Sequence, residues 1–465
     1  MKYEAGSGER GAGSGERGAG SGERGAGSGE NFNKYKFMIA SIISIGQELL
    51  LGDVVNTNAS WLGVFLAENA IECKKVVTIG DDASFITREL DRCVKSSDLV
   101  ILTGGLGPTH DDITKSSLAD YFGVGLVRHE PTFEHVKGFF ERRGIVFSAS
   151  NHAQADVLSN AEVLFNKVGT APGMWIESKG RIIIVLPGVP SEMKYLMTHE
   201  VMPRLKVKNG EVAGYYAHYF QLTGIGESNL SDLVIGDLSH YLNDRLTMAY
   251  LPHKHFITLR ISSYGHTTDE ARRQSEPLQQ HIRDTAGPYI FSEKQDDKLE
   301  AAVVHALQRF HAKVATAESC SGGQLAHFIT NVSGSSEVFD GGVVVYSNSM
   351  KSDLLDVPES MLIEHGAVSK PVALFMAKSV AEKFGTRFGL STTGIAGPTG
   401  GTPDKPIGTV WIGFWSPEAH FAVRAQLYPD RIMNKERSAT IALEILRRQL
   451  LGITGLPWNL SSESA

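Results

Sequence analysis

The chain has 465 residues, a formal net charge of −7 and a hydrophobic content of 42%. That length predicts two to four domains with folded cores, and the acidic balance argues against a nucleic-acid-binding protein. The sequence has no apolar run of about 18 residues that would predict a membrane span, and its three cysteines, an odd number without paired spacing, favour a reducing cytoplasm over a disulfide framework or a thiolate zinc site.

Residues 1–37 repeat the heptapeptide AGSGERG and contain almost no apolar side chains. Such a composition cannot offset the entropy lost on ordering, so we expect a disordered extension, either natural or derived from an expression vector. Lys34–Ile45 has the basic and apolar character of a signal peptide, but no small-residue cleavage site follows it. We therefore predict that Met38–Ile45 is the first buried strand.

From Met38 onward, apolar runs alternate with segments of helical period. The predicted strands are Met38–Ile45, Lys75–Ile79 and Leu99–Thr103. The predicted helices are Asn58–Asn69 and Phe85–Lys95. This alternation predicts a parallel sheet covered on both faces, with ligands bound at the carboxyl ends of its strands. Polar clusters follow those ends at Gln47-Glu48, Asn56–Asn58 and Thr103–Asp112.

The last of these clusters reads TGGLGPTHDD. Glycine amides can hold a phosphate, and the adjacent carboxylates of Asp111 and Asp112 can hold Mg²⁺. The alternative is a plain helix start at which one of these carboxylates is favoured by the helix dipole.

Residues 214–293 read as a strand, a turn, a helix, two strands and a helix, which predicts a small α+β module. The turn Thr223–Ser228 places Glu227 near the positive end of the helix that follows. The segment has no basic cluster, so a structural or interdomain role is favoured over RNA binding. His253 and His255 could share a strand face as metal ligands, but no third ligand is evident.

The segment Thr316–Gly323, TAESCSGG, follows an apolar run and precedes a helical pattern at Gln324–Ile329. Ser319 is therefore expected on a strand-to-helix turn, where unpaired backbone N–H groups suit a nucleophile beside an oxyanion hole. The alternative is that Ser319 or Ser321 is only a helix cap.

Two later segments favour catalysis. A predicted buried strand at Gly341–Val345 is followed by Tyr346 and Lys351. A lysine desolvated in a pocket has a lowered pKa and can take a proton from serine, while a tyrosine hydroxyl can relay that proton or hold the lysine. The alternative is a solvated lysine and a strand aromatic. The Gly-, Ser- and Thr-rich segment Ser391–Pro403 suits an anion-cradling loop, although such loops also serve as plain turns.

Taken together, these three segments resemble the CinA carboxy-terminal domain, the nicotinamide mononucleotide (NMN) deamidase family. The resemblance implies hydrolysis of NMN to nicotinic acid mononucleotide and ammonia without a cofactor, with Ser319 as nucleophile and Tyr346 and Lys351 handling protons. It also implies a substrate-binding set, which comprises Cys320, Gly322, Gly323, Thr393, Gly394, Ala396, Gly397, Arg431 and Arg437. A glycine of the family's basic segment is missing in Tyr428–Arg437.

The amino-terminal motifs resemble the molybdopterin-binding fold, which the amino-terminal domain of CinA shares. The matching segments are Asp53–Asn58, Thr103–Asp112, Val168–Gly173 and Leu186–Met193. The resemblance implies an ADP-ribose pyrophosphatase with a divalent metal such as Mg²⁺ held by Glu48, Asp111 and Asp112. Its implied nucleotide-binding residues are Asn56, Thr57, Asn58, Gly104, Gly105, Gly107, Thr109, Pro187 and Gly188. Gln47 stands where the family often has Asp, and Val189 stands where it has a second proline.

The resemblance implies a molybdopterin-binding-like domain at 38–207, a KH-like module at 208–294, an NMN deamidase domain at 295–457 and a tail at 458–465. We expect a cytoplasmic homodimer whose partners are the nucleotides NMN and ADP-ribose, with neither nucleic acid nor membrane among them. The rival hypothesis is a non-catalytic protein, either a molybdopterin or nucleotide carrier or a competence-linked scaffold.

Overall fold

The computed structural model describes residues 38–109, 112–209 and 214–461. The predicted disordered extension, the predicted metal ligand Asp111 and residues 462–465 of the predicted tail lie outside these ranges. The predicted fold class is confirmed: two α/β units flank a small α+β module.

The amino-terminal unit is built on a six-stranded sheet in the order β2-β1-β3-β8-β7-β6, in which the first four strands are parallel. Strand β1 lies between β2 and β3, and its Ile42 and Ile43 pack into cores on opposite faces of the sheet. The strands of this unit are β1 Ile39–Ile45, β2 Glu72–Ile79, β3 Leu99–Thr103, β4 Leu126–Arg128, β5 Asp156–Leu158, β6 Glu162–Leu164, β7 Gly173–Ser178 and β8 Arg181–Leu186. Strands β4 and β5 form a separate antiparallel pair.

Helices cover both faces of this sheet, as the alternating pattern predicts. The predicted helices at Asn58–Asn69 and Phe85–Lys95 are confirmed within a few residues as α2 and α3. The helices of this unit are α1 Gln47–Leu51, α2 Thr57–Glu68, α3 Ala83–Ser96, α4 Thr114–Phe122, α5 Glu130–Arg142, α6 Ala149–His152, α7 Pro190–Leu196 and α8 Met202–Asn209.

The middle module follows the predicted order of elements. Its sheet is antiparallel, in the order β10-β11-β9-β12, and α10 packs against it. The elements are β9 Gly214–Leu222, α9 Glu227–Asn229 with a π-helical turn to Ile235, β10 Leu246–Pro252, β11 Ile257–Gly265, α10 Thr268–Ala286 and β12 Ile290–Ser292.

The carboxy-terminal unit has a five-stranded sheet in the order β14-β13-β15-β16-β17, in which β14, β13 and β15 are parallel. Its strands are β13 Val314–Glu318, β14 Phe339–Val344, β15 Phe388–Gly394, β16 Thr409–Trp415 and β17 His420–Gln426. Its helices are α11 Leu299–Arg309, α12 Gln324–Thr330, α13 Asn348–Leu355, α14 Glu359–His365, α15 Lys370–Phe384 and α16 Arg431–Leu451.

Helix α16 joins the carboxy-terminal unit to the middle module. Buried Glu444 pairs with Arg447, whose guanidinium also donates to the carbonyl oxygens of Pro288 and Ile290. The turn that begins at Gly224 packs on the same helix, since a Cβ atom added there would lie 2.9 Å from Nη2 of Arg448. These contacts favour the interdomain role that the sequence suggests for the module.

His253 and His255 do not act as paired metal ligands in the described part of the chain. His253 Nε2 bonds to Thr258 Oγ1, and His255 Nε2 bonds to Glu436 on α16. Within the described ranges, no helix combines the length and hydropathy that a bilayer crossing requires.

Candidate active site

Ser319 lies on the predicted turn between a buried strand and a helix. Strand β13 ends at Glu318 and α12 begins at Gln324, and the turn between them uses left-handed backbone at Gly322 and Gly323 (φ 58° and 91°). The Ser319 amide donates to the carbonyl oxygen of Thr392 on the neighbouring strand β15, at 2.9 Å. The hydroxyl-bearing residue is thereby fixed at the carboxyl edge of the sheet.

The structure brings Lys351 to Ser319. Lys351 Nζ donates to Ser319 Oγ at 3.1 Å and to the Val345 carbonyl oxygen at 2.9 Å. The lysine is only 1% exposed, and burial lowers its pKa below the usual lysine value. The surface-lysine alternative is therefore wrong, and Lys351 has the contact and environment of a base for the serine hydroxyl.

Glu318, which the sequence reasoning missed, holds the turn closed. Its buried carboxylate accepts hydrogen bonds from Ser321 Oγ at 2.7 Å, Leu325 N at 3.0 Å and Ala326 N at 2.8 Å. A residue at the end of β13 therefore caps the start of α12 across the Ser319 turn. The signal in the sequence was an acidic residue inside an apolar strand, beside the serine.

Ser321 is part of the same network rather than a conventional helix cap. Its hydroxyl donates to Glu318 and lies 2.5 Å from Thr392 Oγ1. The backbone N–H groups of Cys320 and Ser321 donate to no carbonyl oxygen elsewhere among the described residues. These two amides directly follow Ser319 in the chain and are candidate donors to an oxyanion formed at the serine.

The Cys320 side chain lies in the protein interior. It is 5% exposed and packs in the apolar core cluster that includes Leu325 and Leu390. Burial raises the pKa of its thiol to about 12. A neutral thiol is a weak nucleophile, so Ser319 rather than its neighbour has the reactive environment. Of Cys320, only the backbone can contact a substrate.

Tyr346 does not contact the serine–lysine pair. Its side chain is 60% exposed, and its hydroxyl accepts a hydrogen bond from Arg431 Nη2 at 2.5 Å. Arg431 Nη1 also donates to the Gly397 carbonyl oxygen at 2.9 Å. No hydrogen bond joins Tyr346 to Ser319 or Lys351 in the part of the chain that the structure describes, so the predicted proton-relay contact is not formed. Instead, Arg431 links the Tyr346 hydroxyl to the Gly397 carbonyl oxygen.

Helix α16 presents Arg431, Asn434 and Lys435 to the glycine-rich turns. Asn434 Nδ2 donates to the Ala396 carbonyl oxygen at 3.0 Å. Lys435 Nζ lies 3.4 Å from the position that a Cβ atom would take at Gly322. Lys435, which the sequence reasoning missed, is one helical turn beyond Arg431 and shares its face.

Arg437 was predicted to bind the substrate, but in the structure its side chain contacts Trp458. Its guanidinium lies over the ring of Trp458, 4.1 Å from the centroid, and burial lowers its pKa. Arg437 is six positions after Arg431, which puts the two side chains on different faces of the helix. The contacts of Arg437 therefore favour a packing role over anion binding.

The Ser391–Pro403 segment begins inside strand β15. The Thr393 hydroxyl donates to the Ala367 carbonyl oxygen at 2.7 Å, so its side chain is used within the fold. A Cβ atom at Gly394 would lie 2.7 Å from the Thr409 carbonyl oxygen. Gly394 is thus required by close strand packing, while Ala396 and Gly397 are tied to α16 through their carbonyl oxygens.

A separate cleft of about 390 Å³ lies at the carboxyl ends of the amino-terminal strands. Its walls include predicted ligand-binding residues, namely Glu48, Gly104, Gly105, Gly107, Asp112, Pro187 and Gly188. The cleft therefore lies where the sequence analysis expected a ligand, at the carboxyl ends of the parallel strands.

Among the residues that the structure describes, the other predicted ligand-binding residues of this region, namely Asn56, Thr57, Asn58 and Thr109, support the walls of the cleft and do not line it. Asn58 Nδ2 donates to the Gly188 carbonyl oxygen at 2.7 Å, and the Asn56 side chain caps α2, whose first residue is Thr57. Thr109 donates through both N and Oγ1 to Asp112.

The described residues alone do not complete the predicted metal site. Asp112 uses both carboxylate oxygens to accept hydrogen bonds from Gly107 and Thr109, which closes their loop. Across residues 38–109, 112–209 and 214–461, no three His, Cys, Asp or Glu side chains are grouped so that they could hold a metal ion. Asp111, the remaining predicted ligand, lies outside those ranges.

Two ionisable residues near this cleft, buried Lys115 and half-buried Glu192, were not singled out from the sequence. Lys115 donates to the carbonyl oxygens of Ala153 and Gln154, and burial lowers its pKa to about 8. Glu192 lines the cleft, accepts a hydrogen bond from Asn166, and has its pKa raised by burial.

Family models match three successive parts of the chain. They are described as "Probable molybdopterin binding domain" over residues 41–207, "Damage-inducible protein CinA KH domain" over 217–292 and "CinA C-terminal domain" over 296–450. A CinA-like protein of Salinibacter ruber is 45% identical over 415 residues, which cover 89% of this chain and 100% of that protein. A CinA-like protein of Chloroherpeton thalassium is 40% identical over 422 residues, covering 89% and 99%.

Among solved structures, that of the protein CinA from Thermoplasma acidophilum is 32% identical. The match covers 37% of this chain and 98% of the solved one, with a TM-score of 0.33.

We predict that Glu318→Gln destabilises the protein by about 1–3 kcal/mol, because an amide cannot accept all three hydrogen bonds and leaves buried donors unpaired. Urea denaturation measures the change in the free energy of unfolding. Glu359→Gln, which alters an exposed carboxylate in the first turn of α14, is the matched control and should change stability by under about 0.5 kcal/mol. Equal stability of the two variants would contradict the clamping role of Glu318.

Proposed function

Because the chain belongs to the CinA family, we propose that it hydrolyses the carboxamide of NMN to nicotinic acid mononucleotide and ammonia at Ser319. The observation that carries this proposal is the 3.1 Å contact between Lys351 Nζ and Ser319 Oγ in a buried site. A lysine whose pKa is lowered by burial is a suitable base for a serine nucleophile, and the pair needs neither histidine nor a metal.

In the proposed mechanism, Ser319 Oγ attacks the carboxamide carbon and its proton passes to Lys351 Nζ. The Cys320 and Ser321 amides stabilise the negative oxygen that forms. Lys351 then returns the proton to the amide nitrogen, the C–N bond breaks, and ammonia leaves an acyl ester on Ser319. Water attacks this ester and loses a proton to Lys351, which restores the serine hydroxyl as the product acid departs.

The phosphate of NMN requires a cationic partner near this centre. Arg431 and Lys435 supply positive charge on the face of α16 that meets the glycine-rich turns. Arg431 also holds the Tyr346 hydroxyl. We therefore assign the anionic end of the substrate to Arg431 and Lys435, and give Tyr346 a positioning role through Arg431.

The purified protein should release ammonia from NMN, and Ser319→Ala should lower kcat by about a thousandfold or more, as nucleophile removal does. Ammonia release is followed by a coupled dehydrogenase assay, and the thermal midpoint shows whether the variant is folded. Ser333→Ala, an exposed serine after α12, should retain full activity. Near-normal turnover by a folded Ser319→Ala protein would exclude Ser319 as the nucleophile. If the wild-type protein released no ammonia, the non-catalytic rival would be favoured.

Activity should rise with pH through the lowered pKa of Lys351, because only the neutral amine can accept the serine proton. Below that pKa, kcat should increase about tenfold per pH unit and then level off. Lys351→Arg should be nearly inactive, since arginine keeps its proton at every accessible pH. An active arginine variant with a flat pH profile would mean that residue 351 contributes only positive charge.

Lys435→Gln should raise the KM for NMN by about tenfold with little change in kcat, as expected for a lost contact to an unreacting phosphate. Arg437→Gln is the matched control on the same helix, and it should lower the thermal midpoint through lost packing on Trp458 while KM stays unchanged. The opposite pattern, with KM controlled by residue 437, would restore the anion-binding role predicted for Arg437.

The amino-terminal cleft supports a second candidate function, the binding of a phosphate-bearing ligand such as ADP-ribose. Its glycine-rich wall lies at the ends of parallel strands, where such ligands bind. The Gly104 and Gly107 amides already donate to Leu186 and Asp112, so a phosphate would compete with these bonds or use other groups of the wall. ADP-ribose hydrolysis to AMP and ribose 5-phosphate remains a proposal, and so does a divalent ion, which the described carboxylates alone do not accommodate.

If a divalent ion serves this site, EDTA should abolish ADP-ribose cleavage and leave NMN deamidation unchanged, since the two sites lie on separate sheets. Both products are quantified by chromatography from one reaction mixture. Loss of both activities on chelation would contradict separate sites. Binding of ADP-ribose without cleavage, with every divalent metal tried, would favour a carrier role for the cleft.

A further inference from the structure

A further cavity, of about 360 Å³, lies between the middle module and the carboxy-terminal unit. The turn between β10 and β11 contributes Phe256, the connection before α11 contributes Asp296, and the first turn of α11 contributes Glu300. Helix α12 contributes Phe328 and α16 contributes Leu443. Cavities of this size at domain junctions are frequent ligand sites, and neither the deamidase centre nor the amino-terminal cleft includes this one.

The inner walls of this interdomain cavity are apolar and aromatic. Leu299 and Leu443 are buried core residues, and Phe256 and Phe328 are partly exposed, on opposite units. The Phe256 ring is held by His253, which stacks on it at 4.3 Å. Two aromatic side chains with exposed surface in a cavity match a ligand with a flat apolar body.

The charged groups around the cavity are mainly acidic. Asp296, Asp297 and Glu300 outnumber Lys298. Asp297 already accepts a hydrogen bond from Ser292 at 2.6 Å, whereas Asp296 and Glu300 have no ion-pair partner among the described residues.

Two histidines, His253 and His255, line the cavity. Burial lowers the pKa of His255, which disfavours a positive charge on that ring. The negative excess, combined with aromatic faces that attract positive charge, selects for a cation.

The cavity touches α12 and α16, two of the three helices around the proposed deamidase centre. Helix α12 begins at the turn that Glu318 clamps, and α16 carries Arg431 and Lys435. Leu443 is about two turns further along α16 from Lys435, so a molecule in the cavity would contact this helix away from the substrate.

We propose that the interdomain cavity is a second small-molecule site, which binds a compact organic cation with a flat aromatic body. The aromatic part lies between Phe256 and Phe328, and the positive group faces Asp296 and Glu300. This proposal goes beyond the deamidase and does not depend on it, since it rests on the cavity and its lining.

Isothermal titration calorimetry of the full chain with tryptamine tests the proposal. Indole-3-propionate, which has the same ring and the opposite charge, is the matched ligand. Tryptamine should bind saturably with one site per chain, and indole-3-propionate should bind at least about tenfold more weakly. Absence of saturable tryptamine binding, or equal binding of the two ligands, would overturn the proposal.

Tryptamine binding to variants tests where the ligand binds. The double variant Asp296→Asn/Glu300→Gln, which removes two acidic groups of the cavity, should weaken tryptamine binding about tenfold, and Phe256→Ala should weaken it by a similar factor. Asp244→Asn removes an exposed carboxylate at the far end of β10 and should leave binding unchanged. Unaltered affinity in the double variant, whose folding is checked by its thermal midpoint, would place the bound tryptamine elsewhere and refute this site.

Discussion

The burial of Lys351 beside Ser319 is the constraint on which the proposed chemistry depends. Because Lys351 is almost fully excluded from water, desolvation destabilises its charged form. Among the described residues, no carboxylate forms a hydrogen bond with its amine. The buried acid nearby, Glu318, is occupied instead by Ser321 and by two amides of α12. The Glu318 carboxylate thus stabilises the turn, and Lys351 has no carboxylate partner that would stabilise its protonated form.

The carboxy-terminal unit brings these groups together from distant parts of the chain. The nucleophile turn follows β13, the base lies on α13 beyond β14, and the cationic side chains lie on α16. Parallel pairing of β14, β13 and β15 aligns the ends of those strands at one edge of the sheet, which is where polar side chains can converge. Helix α16 closes this edge and also anchors the middle module, so the module and the candidate active site share one rigid element.

In the amino-terminal unit, the rule that ligands bind at the carboxyl ends of parallel strands locates a cleft, but it does not determine what the side chains of that cleft do. The glycine turn and Asp112 are at the strand ends, as their sequence positions require. Asp112, however, satisfies the amides of its own loop, which a short run of residues cannot reveal. Asn58 similarly supports the wall by bonding to Gly188, which is far away in sequence.

The sequence by itself determined the alternation of strands and helices, the strand-to-helix turn at Ser319 and the pairing of that serine with Lys351, because local periodicity and a specific motif carry this information. Only the tertiary structure decided which side chains reach the site, since that depends on helix rotation and on packing between distant segments. It placed Lys435 rather than Arg437 beside the nucleophile turn, tied Tyr346 to Arg431 instead of Lys351, and gave Glu318 its clamping contacts. It also formed the interdomain cavity, whose walls come from four separate stretches of chain and therefore leave no continuous pattern in the sequence.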